Sequence, residues 1–404
     1  MATLYTRAHV VTCAGGAGDP LGAFVDGAVL TDGDRIAWVG ADADAWAAAS
    51  ALGLAIDDRH DLGGRLLTPG LIDCHTHAVF AGDRAGEFAL RAAGASYQDI
   101  AAAGGGIVAT TGPTRAASVD TLVALTLDRL ARARAAGTTT IEIKTGYDLT
   151  VAGELRLLEV IARVAAATPQ TVVPTLLCHL IPAERRADRA AYVEELATTL
   201  VPRAVGRATS VDVYCDDGAF TRAETERLLT AATRAGLAVR AHVGQFADVD
   251  GAGLVASLGG RSIDHVEQIS ADQIAAVAAA GTVAVMLPGA CVQLRLPVPP
   301  VAALRAAGVA MAIATDLNPG SSLSEELPLQ LWLATTHYGM TVPEAWLGVT
   351  RHAARALGLT DRGAIAPGAR ADLCIWDADH PATVPYHYGG QRPSQVVIAG
   401  DLVP

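Results

Sequence analysis

The chain has 404 residues, 51% of them apolar and 18% charged, which excludes a mainly disordered polymer and exceeds what one small core needs. Its formal charge of −12, with no run of Lys or Arg, excludes the electrostatic footprint of a nucleic-acid binder or of a protein drawn to an anionic membrane. Cys13, Cys74, Cys178, Cys215, Cys291 and Cys374 lack any CxxC pair and read as reduced, buried side chains; the opening MATLYTRAHVV lacks the basic-then-apolar order of a secretory signal, so a cytoplasmic location is expected.

Along residues 1–66, short alternating runs (LYTRAHVVT, GAVLTDGDRIAWVG) are separated by Asp-Gly turns, which predicts antiparallel strands. From Gly70 the pattern changes to short β-branched runs alternating with longer Ala/Leu/Arg segments of helical period. The runs are Leu71–His77, Thr138–Lys144, Thr171–Leu177, Ser210–Cys215, Leu237–Val243, Arg261–Val266, Thr282–Leu287 and Val309–Thr315. Helices are expected between them, for example over Thr121–Ala136 and Ala187–Val205. Eight strands each followed by a helix predict an α/β fold, a (β/α)8 TIM-type barrel with its chemistry at the C-terminal ends of the strands. The Gly-rich stretch from Ala78 to Asp120 is too long for a simple connection and is expected to fold over the barrel mouth. After Gly363 the strand pattern returns (ARADLCIWDAD, SQVVIAGDLVP). The two chain ends are therefore expected to meet as a small β-sandwich, dividing the chain into 1–66, a barrel over 67–361, and 362–404.

The strongest local signal is Asp73-Cys74-His75-Thr76-His77. Alternate residues of a strand share a face, so His75 and His77 point the same way, which suits two imidazoles on one cation. The bland alternative is a pair of hydrogen-bonded core histidines. Polar residues at other strand ends weigh against it: His242 closes strand five, His265 lies in strand six, and Asp316 ends strand eight. Three histidines and an aspartate suit one divalent metal, Zn²⁺ or Fe²⁺, with a position left open for water.

These residues sit in segments that resemble the amidohydrolase superfamily. The HTH after a Pro-Gly-Leu-Ile-Asp run, the histidines of strands five and six, and the Thr-Asp of strand eight carry that likeness. Within it, PGLIDCHTHAVFAGDR, EFALRAAGASYQDIAAAGGGI, IEIKTGYDL, the CHLIP run, SIDHVEQ and ATDLNPGS resemble the imidazolonepropionases of histidine degradation over nearly the whole chain. The resemblance implies metal ligands His75, His77, His242 and Asp316, and substrate contacts by Arg84, Tyr97, Tyr147, His179, Asn318, Gly320 and Ser321. It also places His265 and Gln245 beside the reacting amide. Many family members carry Glu where this chain has Gln245, and Gln cannot act as a base, so proton transfer is expected to fall to His265 or Asp316.

The implied activity is opening of the cyclic amide of 4-imidazolone-5-propanoate to N-formimidoyl-L-glutamate by a metal-activated water. Arg84 offers a planar fork for the propionate, and His179 a stabiliser for the developing oxyanion; a loop salt bridge for Arg84 and ordinary packing for the tyrosines are the alternatives. Two other readings compete: a mononuclear deaminase of a purine or pyrimidine ring, which would not need Arg84 and Asn318 around a carboxylate, and a non-catalytic barrel, which the intact ligand set disfavours. Two-metal amidohydrolases resemble one another in a bridging lysine on strand four; here that strand ends Tyr214-Cys215-Asp216-Asp217, so a single metal is expected. The partner expected is a small carboxylate-bearing substrate, with a homodimer as the assembly. All basic residues but Lys144 are arginine. Lys144 shares strand parity with Glu142, which predicts a buried ion pair beneath the site.

Overall fold

The computed structural model describes residues 1–95 and 105–403. The N-terminal segment forms β1 (Ala2–Val11), β2 (Ala23–Asp32), β3 (Arg35–Ala41), β4 (Ile56–Asp61) and β5 (Leu66–Pro69). Eight strands follow with intervening helices: β6 (Leu71–Asp73), β7 (Thr138–Lys144), β8 (Thr171–Cys178), β9 (Ser210–Cys215), β10 (Ala238–Val243), β11 (Ser262–His265), β12 (Val283–Met286) and β13 (Met311–Ile313). The chain ends with β14 (Leu373–Trp376), β15 (Gln395–Ile398) and β16 (Asp401–Val403).

Strands β6 to β13 pair in sequence order and all in parallel, as expected for a (β/α)8 barrel. Closure between the first and last strands lies just beyond their ladders, through a bridge between Thr76 and Leu317 and a bond from the Asp316 amide to the His75 carbonyl at 3.1 Å. Each predicted strand is present. The first is shorter than expected, because regular pairing stops at Asp73 and leaves His75 and His77 on the rim.

Strand parity explains the interior. On β10 the apolar Val239, Ala241 and Val243 join the cluster shared with the outer helices, whereas Arg240 and His242 alternate with them and join the polar network. On β7, Ile141 and Ile143 face outward in the same way, opposite Glu142 and Lys144. The barrel's upper interior is therefore filled by paired charges rather than by the usual branched apolar layers.

The helix Val119–Ala135 starts where the Ser118 hydroxyl accepts from the Thr121 amide at 3.1 Å. The expected single helix over 187–205 is instead Arg189–Glu195, a wide turn at Leu196–Leu200, and Val201–Ala204. Pro202 accounts for the difference: it has no N–H and its ring crowds the preceding turn, so the Val201 amide reaches back to the Leu196 carbonyl. Within the long segment after β6, the described residues include helices Ala85–Ala92 and Val108–Ala116. Arg129 anchors its start, donating to the carbonyls of Ala78 and Phe80 at 2.9 Å each while lying over the Phe80 ring.

The strands of the two chain ends share one mixed sheet, ordered β16-β15-β14-β5-β1-β2-β3 with β4 also on β1. A bridge between Arg35 and Arg370 joins β3 to the segment leading into β14, so the sheet curls back on itself. Val29, Ile36, Leu67, Leu373, Ile375 and Val397 meet in the apolar cluster it encloses. This gives the small β-unit expected beside the barrel.

Candidate metal centre and active site

His75, His77 and His242 present ligand atoms within 4.8 Å of one another, all buried. Asp316 Oδ1 lies 3.4 Å from Nε2 of both His75 and His77, and the Nε2 atoms of His77 and His242 are 3.4 Å apart. Atoms bound at about 2.0–2.1 Å around a tetrahedral centre stand about 3.3 Å apart, so these spacings match a metal cradle.

The opposite ring nitrogens show why the cradle needs a cation. His75 Nδ1 faces Asp264 Oδ2 at 2.7 Å, and His242 Nδ1 faces Asp212 Oδ1 at 2.8 Å. A carboxylate only accepts, so each Nδ1 carries the proton and each Nε2 turns a bare lone pair toward Asp316 and its neighbours. Lone pairs and a carboxylate converging in a buried pocket repel one another unless a positive charge stands between them. His75 is flanked by two carboxylates: burial and Lys144 oppose its protonation, but Asp264 and Asp316 outweigh them and raise its pKa. Burial holds His77 and His242 toward the neutral form. Asp316 is held well below the ordinary carboxylate range; burial opposes this, and the two facing imidazoles prevail.

Beneath the cradle lies a network that sequence reasoning only partly anticipated. Lys144 Nζ is 2.8 Å from Glu142 Oε1, as predicted, but it is also 2.8 Å from Asp212 Oδ2 and 3.7 Å from Asp264 Oδ2. Arg240 donates to Glu142 Oε1 at 3.0 Å, Asp264 Oδ2 at 3.0 Å and the Cys74 carbonyl at 2.7 Å. Asp212, Asp264 and Arg240 were not singled out from sequence. The available signal was charge at inward-facing positions of otherwise apolar parallel strands.

Around the opening, His179 stacks on His77 with ring centroids 5.6 Å apart, its Nδ1 3.0 Å from the Gly146 carbonyl. Burial, reinforced by His77, lowers its pKa to about 3, so it is neutral with Nδ1 protonated. Tyr147 packs against both rings, at 5.8 Å from His77 and 5.6 Å from His179. Burial raises its pKa first and Asp316 next, while Arg84 and Arg129 oppose them. Gln245 is buried and its Oε1 accepts from the Tyr214 hydroxyl at 2.8 Å.

His265 sits at φ 86°, followed by Val266 at 65°, and Asp316 at 51°, all in the left-handed region that non-glycine residues avoid. Bonds from the Val266 amide to Val243 and from the Asp316 amide to His75 hold these turns, which is the pattern of strain retained at a working site. Nδ1 of His265 has no hydrogen-bond partner among the described residues and lies 3.8 Å from Glu267 Oε1, whose carboxylate is likewise buried and unpartnered. Glu267 is a further residue that sequence reasoning passed over, although it lies within the SIDHVEQ run.

The remaining candidates divide. Arg84 is brought to the opening but forms a tight pair with Glu87, through Nη2 at 2.6 Å and Nε at 3.0 Å to the same oxygen. Its Nη1 faces Gly320, where a Cβ would collide with it, which explains the glycine. Asn318 is absorbed in shaping its own loop: Oδ1 accepts from the amides of Gly320 and Ser321 at 2.8 Å each, and Nδ2 donates to the Asp316 carbonyl at 2.7 Å. Ser321 Oγ stands 2.9 Å from that amide nitrogen. Tyr97 lies outside the described residues. The six cysteines are free and buried, and among the described residues no helix is long and apolar enough to cross a membrane.

The geometry has counterparts. Residues 112–404 match the model of the amidohydrolase family. An imidazolonepropionase of Cereibacter sphaeroides is 48% identical over 375 residues, covering 92% of this chain and 93% of that protein. One of Roseobacter denitrificans is 44% identical over 403 residues, covering 99% and 100%. Among solved structures, an atrazine chlorohydrolase from Arthrobacter aurescens complexed with zinc shares the fold, with TM-score 0.71 at 17% identity and coverage of 99% of this chain and 94% of that one.

Proposed function

The chain belongs to the imidazolonepropionases of the amidohydrolase family, and on that premise we propose how its residues open the ring amide of 4-imidazolone-5-propanoate to N-formimidoyl-L-glutamate. The observation that carries the reading is the cradle of His75, His77, His242 and Asp316, with the Arg84 guanidinium lying against Gly320 on the loop that follows Asp316 at the same opening. A ring amide and its propionate have the same polarity as that opening.

His75, His77, His242 and Asp316 are the proposed ligands of one divalent ion, Zn²⁺ or Fe²⁺. Bound there, the ion supplies Lewis acidity and lowers the pKa of a water to about 7. Nη1 of Arg84 takes the propionate, with Nε and Nη2 fixed by Glu87 so that the fork needs no reordering. Tyr147 supplies a hydroxyl donor. Neutral His179, with Nδ1 protonated toward the Gly146 carbonyl, offers Nε2 only as an acceptor, so it can receive a ring N–H but does not stabilise the oxyanion as first expected. The turn Asn318–Ser321 shapes the wall against which Arg84 lies. Gln245, steered by Tyr214, leaves its amide N–H groups to donate to the ring. His265 and Asp316 move the proton from water to the departing ring nitrogen, which becomes the formimidoyl nitrogen of the product.

The ring-deaminase alternative leaves Arg84 and its supporting Glu87 without a role and is not favoured. The protein is expected to work in the cytoplasm as a two-fold dimer, which sedimentation will check. The deciding experiment follows loss of imidazolone absorbance with the purified protein, beside parallel assays with purine and pyrimidine amines. Turnover of an amine and none of imidazolonepropanoate would overturn the reading.

A further inference from the structure

Lys144 is the only lysine of the chain, is fully buried, and pairs through its ammonium with carboxylates rather than with the proposed metal ligands. Its ammonium nevertheless stands at a junction of three carboxylates on three strands, β7, β9 and β11. Each of those carboxylates reaches a different part of the cradle. Asp212 gives Oδ2 to Lys144 and Oδ1 to both Nδ1 and the backbone amide of His242, at 2.8 and 3.2 Å. Asp264 gives Oδ2 to His75 Nδ1 and has its Oδ1 held by the Ser262 hydroxyl at 2.7 Å. Glu142 gives Oε1 to Lys144 and Oε2 to the amide of Thr76, the residue between His75 and His77, at 3.1 Å. The Lys144 amide itself donates to the Thr76 carbonyl at 2.9 Å.

We propose that Lys144 is a positioning residue of the metal centre: through Asp212, Asp264 and Glu142, one ammonium fixes His242, His75 and the backbone between His75 and His77, and so sets how tightly the imidazoles hold a divalent ion. The inference rests on the metal-centre reading above. Charge supports it. Lys144 and Arg240 face three carboxylates, so the network carries one net negative charge; with Asp316 there are two, which balance a divalent cation. Without Lys144, Glu142 and Asp212 each lose a partner at 2.8 Å and a second negative charge is buried uncompensated, which loosens their hold on the Thr76 backbone and on His242. Burial and Arg240 act to discharge Lys144, but the carboxylates prevail and its pKa is raised, so the ammonium persists. A compact ammonium accepts radial partners from three strands, whereas a planar guanidinium directs its donors in one plane, and Arg240 already occupies the adjoining space.

The test compares wild type, Lys144→Met and the charge-balanced Lys144→Met/Glu142→Gln. Each is measured for zinc Kd by competition with a chromophoric chelator, and for thermal midpoint with excess zinc and after chelation. The double variant removes one charge of each sign, so it carries the test if the single variant does not fold. A positioning role weakens zinc binding at least tenfold and shrinks the zinc-dependent gain in midpoint, because that gain follows the ratio of free zinc to Kd. Equal lowering of both midpoints with wild-type Kd would make Lys144 a purely structural residue and overturn the proposal. A wild-type protein with no zinc-dependent gain would overturn the metal-centre reading, and the proposal with it.

Discussion

The Thr315 hydroxyl donates to Asp73 Oδ2 at 2.6 Å, tying the end of the last barrel strand to the end of the first immediately below Asp316 and His75. The Thr315 amide reaches the other oxygen of the same carboxylate at 3.2 Å. Barrel closure and assembly of the ligand set are therefore one event: the seam that Asp73 and Thr315 close is the seam across which Asp316 meets the two histidines. Thr315→Val keeps the shape but removes one donor from a buried carboxyl. It is expected to lower stability by about 1–3 kcal/mol and to weaken metal binding as well. Denaturant unfolding of chelated and metal-loaded protein will separate the two effects; unchanged metal affinity would confine the seam to a structural role.

Metal stoichiometry follows from the one cradle found among the described residues. Elemental analysis of active protein is expected to approach one transition metal per chain, and His77→Ala or His242→Ala to lose metal and activity together, because the remaining ligands hold the ion poorly. A second tightly bound metal needed for activity would contradict the single-metal reading.

Much of this was legible in sequence. Periodicity found every barrel strand, because inward and outward residues differ so sharply on β7, β9 and β10. His75, His77 and His242 were legible because a histidine at a strand end has few purely structural uses. For Arg84 the sequence left two readings, a fork for the propionate and a loop salt bridge; the salt bridge is present, with Glu87 taking two of its donors, although the spacing did not say which carboxylate it would be. The turn role of Asn318, whose side chain serves the loop that presents Gly320 and Ser321, was not visible in the sequence. Asp212 and Asp264 stayed hidden because their importance lies in which imidazole they face across strands, and register of that kind is absent from a single sequence.

Arg84 can now be tested with its support. Arg84→Ala is expected to keep fold and metal while kcat/KM on imidazolonepropanoate falls by the equivalent of about 2–4 kcal/mol, the loss expected for a charged hydrogen bond in a closed site. Glu87→Gln leaves the guanidinium present but less rigidly held, so KM is expected to rise more modestly. Wild-type kinetics for Arg84→Ala would remove it from the site.

His179 gives a pH prediction. Its folded pKa is about 3, against an unfolded value near 6.5. Between those values the unfolded chain binds a proton that the native state does not, so stability falls as pH falls through that window and is fully present above it. Replacing the imidazole by the non-titrating amide in His179→Gln is expected to flatten this part of the acid limb. Unfolding midpoints from pH 7 to pH 4, compared as the difference between variant and wild type, will check it. Parallel slopes would mean that the imidazole is solvated and free to charge.

Gln245 provides the sharpest test of proton transfer. Its Oε1 is taken by the Tyr214 hydroxyl at 2.8 Å, so the chain has an oriented amide donor where a carboxylate could have served as a base. If Gln245 only donates to the imidazolone, Gln245→Glu retains measurable turnover, because Tyr214 can donate equally well to a carboxylate, and Gln245→Ala mainly weakens binding. His265 differs: it stands on strained backbone with Nδ1 turned toward the unpartnered Glu267, an arrangement that costs stability and is expected to return function. His265→Ala or Asp316→Asn is therefore expected to cut kcat by about 10²-fold or more. Steady-state kinetics across pH, with metal content measured for every variant, will separate proton transfer from metal loss, since Asp316 is proposed for both. Near-normal kcat for His265→Ala at full metal loading would move the relay to Asp316 or to solvent and leave His265 a packing residue.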